Sequence, residues 1–374
     1  MTPMENKNRL VLLDILRALG VMLMIEGHTI DAVMSPVYKD GGSVLFQFWT
    51  FFRGLTAPFF FFSAGLAFVI ATVKNGGGVL TVTGKSKKRR LKRIVTLLLI
   101  GYGLHMPLQM LYAPSEVSQE AWKIFYVADA LQIISLSLLV ILVIALVSRN
   151  HKALLNSYVI AAVLSLAIAP ITEPIQWEKF MHPAIYPYLT YRAGSYFTFF
   201  PFSAFLFAGA AFGVAAIGLP AETRARVLTK GFAKASLVAL VLSVGFYFVQ
   251  IRYVSPYVDY WRALPAVNLL RFGIVAMVAS GVGYVSMQSF RFPRILPAIG
   301  KSSLTVYIVH LMIVYGSPVN VGLAQLIPGG VHPLVAVLIA AAVMSLMFGM
   351  VYGMEAYRAR KRRIPAVSVG EIAK

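Results

Sequence analysis

A chain of 374 residues that is 59% hydrophobic and 13% charged, with a mean hydropathy of +0.75, is not an ordinary soluble domain. In a soluble protein a net charge of +20 would raise the question of nucleic acid; here 25 of the 34 Lys and Arg residues fall in alternate loops between apolar stretches, so the charge marks membrane topology. The absence of cysteine excludes disulfides, thiolate metal sites and cysteine nucleophiles.

Apolar runs of about 20 residues, enough to cross about 30 Å of hydrocarbon, recur from end to end. In chain order they predict ten spans, at residues 10–34, 45–73, 94–112, 129–148, 154–171, 197–219, 232–254, 265–287, 302–322 and 333–357. The cationic loops 1–9, 74–93, 149–153, 220–234 and 288–301, with 358–374, then share one side, which the positive-inside rule makes cytoplasmic. The expected fold is an all-α polytopic integral membrane protein. It is a bundle of about ten transmembrane helices with both termini cytoplasmic, a single membrane domain over 1–357 and a basic tail over 358–374. The first span is too long for a cleaved signal peptide, is interrupted by Asp14 and Arg17, and lacks a small-x-small site after it.

Between spans, "NGGGVLTVTGK" (75–85) does not fit the phosphate-loop spacing and reads as a flexible cytoplasmic turn. The runs "GKSKKRRLKR" (84–93) and "RARKRRIP" (358–365) read as topology determinants touching anionic lipid. The external segment 172–200, rich in proline and aromatics, is either an interfacial aromatic belt or a lid whose rings stack on a sugar.

Ionisable groups inside a bilayer cost several kcal/mol, so each is a candidate site residue. Those predicted within spans are Asp14, Arg17, Glu26, His28 and Asp31 in the first, Arg53 in the second, His105, Asp129, Arg271 and His310. Arg17 and His28 are eleven residues apart, about three helical turns plus 20°, so they share a face about 16 Å apart along the axis. Asp14 lies one turn from Arg17 and Asp31 one turn from His28, whereas Glu26 points away from the imidazole. A core histidine beside an edge ion pair would explain the first span alone. Convergence with Arg53, Tyr307 and His310 favours a site. An arginine suits phosphate and a histidine suits taking a proton from a hydroxyl or amine. Group transfer from a phosphate-bearing cytoplasmic donor, such as an acyl-coenzyme A, to an acceptor on the other side fits both stations.

The stretch "RLVLLDILRALGVMLMIEGH" (9–28), with its arginine, ten residues and histidine, resembles the opening helix of the transmembrane acyltransferase superfamily. That superfamily includes acyltransferase family 3 and the heparan-glucosaminide N-acetyltransferase-like proteins. "APFFFFSAGLAFV" (57–69), "DALQIISLSLL" (129–139) and "GKSSLTVYIVHL" (300–311) are similar to later segments of the same families, in order.

The resemblance implies an acyl-CoA-dependent O- or N-acetyltransferase. It would pass an acyl, usually acetyl, group from cytoplasmic acyl-CoA to a carbohydrate on the extracytoplasmic side of a bacterial inner or plasma membrane. Arg17, with Asp14 and Arg53, would serve the donor. His28 would act at the transfer centre with Asp31, and Glu26, Tyr307 and His310 would line the substrate pocket. Acyl-CoA, the acceptor and the lipid bilayer are the expected partners, with neither metal nor nucleic acid. The alternative is a secondary transporter of a small anionic or sugar-linked substrate, using the same charges as a relay. No sequence repeat of the transporter kind is visible.

Overall fold

The computed structural model describes residues 11–363 apart from 77–78, 108, 149, 255–260, 289 and 318–319. In chain order its helices are α1 (Val11–Val33), α2 (Val44–Arg53), α3 (Thr56–Thr72), α4 (Gly84–His105), the short α5 (Gln109–Tyr112), and α6 (Gln119–Tyr126). There follow α7 (Ala130–Val147), α8 (His151–Thr172), α9 (Phe199–Ala216), α10 (Ala221–Val249), α11 (Pro265–Met287), α12 (Ile295–Lys301), α13 (Ser303–Tyr315), α14 (Leu323–Leu326) and α15 (Pro333–Arg363).

Among the described residues, seven stretches are helical, long and apolar enough to cross a membrane, and the pair α12–α13, bent by 81°, makes an eighth if it counts as one span. The two other long helices, α1 and α4, fall outside that set because of charge. Every spanning-length window of α1 keeps at least three of Asp14, Arg17, Glu26 and Asp31, and the first ten residues of α4 hold seven Lys and Arg.

Hydropathy and helix boundaries part company at the basic segments. The runs expected to be loops are helical: α4 begins at Gly84, α10 at Ala221, and α15 continues to Arg363. Lys and Arg are good helix formers, so the helix extends beyond its apolar part. Thr83 caps α4, its side chain accepting from Ser86 N. The remainder of the basic tail, 364–374, and the cationic segment 1–9 lie outside the described residues. The expected flexible turn at 75–85 is replaced by a small antiparallel hairpin, β1 (Lys74–Gly76) with β2 (Val79–Thr81), pairing Asn75 with Leu80. Among the described residues it is the only sheet in an otherwise helical chain.

The chain packs as two compact units, one from the start of α1 together with Gly54–Arg291, the other from Arg17–Arg53 and the chain from Phe292 onward. In the first, α3 and α9 approach backbone to backbone. A Cβ on Gly65 would lie 1.9 Å from the Leu206 carbonyl oxygen, and one on Gly209 would lie 2.0 Å from that of Phe62. Small residues at a helix crossing exchange side-chain volume for close van der Waals contact, the main attraction between helices in lipid. Beside this seam the Phe62 ring meets Phe212, Phe232 and Phe272 at centroid distances of 5.9, 5.5 and 6.0 Å. Helices α10 and α11 pair closely, and Ser236 and Ser243 donate across to the carbonyls of Gly273 and Ala266 at 2.8 and 2.9 Å.

The 172–200 segment is ordered by polar contacts within this unit. The buried Glu173 carboxylate accepts from Thr190 Oγ1 at 3.1 Å and from Tyr191 N at 3.2 Å. Tyr102 and Tyr188 share a hydrogen bond at 2.8 Å. Burial, reinforced by that partner, holds the Tyr188 hydroxyl well above the usual phenol range.

In the second unit the end of α1 is fastened to the chain before α15. Val331 N donates to Val33 O at 2.8 Å and Ser35 N to Val331 O at 3.0 Å. Gly330 adopts φ +67°, and a Cβ there would lie 2.4 Å from Ser35 Cα, so this contact needs glycine. Ile30, Val33 and Met34 bury their side chains with Ala336 and Ala340 of α15.

Candidate functional site

The second unit brings together Glu26, His28 and Asp31 of α1, Arg53 of α2, and Tyr307 and His310 of α13. Asp14 is buried in the first turn of α1, and Arg17 is partly buried one turn later; both have partners.

His28 is the meeting point. Its Nδ1 shares a hydrogen bond with the Tyr315 hydroxyl at 3.0 Å, and the two rings stand edge to face at 5.7 Å. The His310 ring lies 5.4 Å away by centroids, tilted by 57°, and Tyr307 stands 5.9 Å behind His310. Tyr315 is the last residue of α13, and the following loop fixes it. Gly316 turns the chain at φ +82°, Gln325 Nε2 donates to Tyr315 O at 2.9 Å, and Asn320 Nδ2 donates to Met312 O at 2.8 Å. Side chains thus satisfy carbonyls that the end of α13 would otherwise leave without helical partners.

The carboxylates next to His28 are engaged elsewhere. Asp31 Oδ1 pairs with Arg53 Nη1 at 2.7 Å and with Lys39 Nζ at 3.9 Å, and Lys39 also donates to the Asp31 carbonyl at 2.6 Å. Glu26 Oε1 accepts from Trp49 Nε1 at 2.5 Å, which gives the glutamate the separate neighbour its helical position demanded. The Arg53 guanidinium lies over the Trp49 ring at 5.0 Å. Its aliphatic stem crosses α1 at Gly27, where a Cβ would stand 2.5 Å from Arg53 Cγ.

Gly27→Ala therefore forces Arg53 off α1 and strips Asp31 of its closest cation. Activity is expected to fall as far as in Arg53→Ala, and Gly27→Ala/Arg53→Ala to be no worse than Arg53→Ala alone. Additive losses in that double-mutant comparison would show that the glycine acts by another route.

Tyr315, Trp49, Lys39 and Gly27 were not singled out by the sequence. Tyr315 falls inside the predicted span 302–322 with nothing local to mark it, and its meeting with His28 joins residues 287 positions apart. Among the described residues no three His, Asp or Glu side chains converge as a metal site would.

The apolar helices define a multi-pass integral membrane protein. Over residues 10–354 the chain matches the family model of acyltransferase family 3, described as an acyltransferase domain, and it belongs to that family. No curated protein matches it.

Proposed function

We propose that the protein transfers an acyl group, in the simplest case acetyl, from cytoplasmic acyl-CoA to a hydroxyl or amine of a carbohydrate on the extracytoplasmic side. The observation that carries this reading is the His28–Tyr315 hydrogen bond at 3.0 Å. With Nδ1–H donating to the phenol oxygen, His28 presents a bare Nε2, the tautomer a general base requires.

In the reaction His28 Nε2 takes the acceptor's proton as its oxygen or nitrogen bonds to the thioester carbonyl carbon. The tetrahedral intermediate then expels the coenzyme A thiolate, which receives the proton from His28. Arg17, three turns back on the same face of α1, suits the phosphates of the donor, with Asp14 beside it. Asp31 and Arg53, paired with each other, set the electrostatics next to His28, while Glu26, Tyr307 and His310 border the acceptor pocket. In this reading α1, α4 and the bent α12–α13 pair join the seven apolar spans. They complete ten crossings of one acyltransferase domain with both termini cytoplasmic, in a bacterial plasma membrane.

The test is purified protein in vesicles, labelled acetyl-CoA on one side and a panel of mono- and oligosaccharides on the other. Label on a sugar is expected. Gradient-driven uptake of unmodified sugar without label transfer would establish a transporter instead. Arg17→Ala is expected to raise KM for acetyl-CoA by about 10- to 100-fold, the worth of a charge-assisted contact, with kcat much less affected. A loss confined to kcat would move Arg17 from the donor site to the chemistry.

A further inference from the structure

His310 is fully buried on α13, and its hydrogen bonding is lopsided. Nδ1 lies 2.9 Å from the Val306 carbonyl, one turn back on the same helix. A carbonyl only accepts, so Nδ1 carries the proton and Nε2 is a bare lone pair. That Nε2 is buried and has no hydrogen-bond partner among the described residues. An unsatisfied buried acceptor is costly, and an apolar side chain of similar size would avoid the cost. Two rings lie against His310, the imidazole of His28 at a centroid distance of 5.4 Å and the Tyr307 phenol at 5.9 Å, and of these the partly buried His28 is the one that can gain a ring N–H.

From this geometry we infer that His310 is a positioning residue acting through His28, its bare Nε2 accepting a hydrogen bond from the His28 imidazolium formed while the acceptor's proton is in transit. The inference rests on the acyl-transfer reading and deepens it. In the resting state both imidazoles present lone pairs at Nε2, and neither satisfies the other. Once His28 removes the acceptor's proton, its Nε2–H becomes the donor that His310 lacks, with Nδ1–H still on Tyr315. The contact exists only in the charged intermediate state, so it lowers the barrier and leaves acetyl-CoA binding alone. When His28 returns the proton to the departing thiolate, His310 is unsatisfied again and the cycle closes with no net proton change at either ring.

The test compares His310→Phe, His310→Leu and His310→Gln in the vesicle assay, with thermal unfolding in detergent as the structural control. The apolar variants are expected to unfold at or above the wild-type temperature, because they remove an unsatisfied acceptor. They should lose about 10- to 100-fold in kcat with KM for acetyl-CoA unchanged. His310→Gln, whose Oε1 can accept where Nε2 did, is expected to recover most of that loss. Full activity in Phe or Leu variants of wild-type stability, or an equal loss in Gln, overturns the inference while leaving acyl transfer intact. Absence of label transfer by the wild-type protein overturns the acyl-transfer reading and this inference with it. Should Phe prove too large to fold, the Leu–Gln comparison decides alone.

Discussion

His28→Ala is expected to lower kcat for acyl transfer by about 10²- to 10⁴-fold, the usual worth of a positioned general base, with acetyl-CoA binding unchanged. The expectation follows from where the ring's two nitrogens are committed. Nδ1 is held by the Tyr315 hydroxyl at 3.0 Å, so the proton-accepting work falls to Nε2. Asp31, one turn away, is paired with Arg53 at 2.7 Å and Lys39, so it is not a spare base. Tyr315→Phe keeps the base and removes its anchor, and the fall there should be smaller, about tenfold, as for one lost hydrogen bond. Single-turnover measurement with labelled acetyl-CoA separates the two variants. Activity retained by His28→Ala would remove the base from the mechanism.

Gly65→Ala and Gly209→Ala are expected to cost the protein its fold before they touch its chemistry. The added methyl would sit 1.9 Å from Leu206 O in one case and 2.0 Å from Phe62 O in the other. These oxygens are backbone, so no side chain can swing aside, and α3 and α9 must part by more than 1 Å, judged from ordinary carbon–oxygen contact distances. Overpacking where side chains can yield costs about 1–3 kcal/mol, and this seam should exceed that range. The measurement is thermal unfolding and monodisperse yield in detergent. Wild-type stability in Gly65→Ala would show that the seam is looser than the distances imply.

How much of this was legible beforehand depends on the length scale of the signal. Seven predicted spans correspond to apolar helical stretches because a run such as residues 130–147 declares itself by composition alone. Helix α1 is legible in the same way although its charges keep it out of that set, and those charges mark it as a candidate site. The helical starts of α4 and α10 were not legible: hydropathy reports where lipid begins, whereas capping and propensity decide where a helix begins. Within the site, the one-turn spacings on α1 could be counted, so Glu26 was correctly separated from His28. Its partner Trp49 could not be counted, because that depends on how α2 lies across α1. Tyr315 carries no local mark at all. Its meaning comes from the turn at Gly316 and from a contact across nearly the whole chain.

That last contact also orders events during synthesis. His28 leaves the ribosome 287 residues before Tyr315, and His310 arrives only slightly earlier than Tyr315. At about 5–20 residues per second the interval is about 15–60 s. Throughout it, α1, with four ionisable residues besides the histidine, is in place without the helix that later receives it. The tie from Val33 to Val331 forms later still. A nascent chain arrested before residue 303 would thus carry His28 without the tyrosine that holds its Nδ1, so the pair is completed only in the last part of translation.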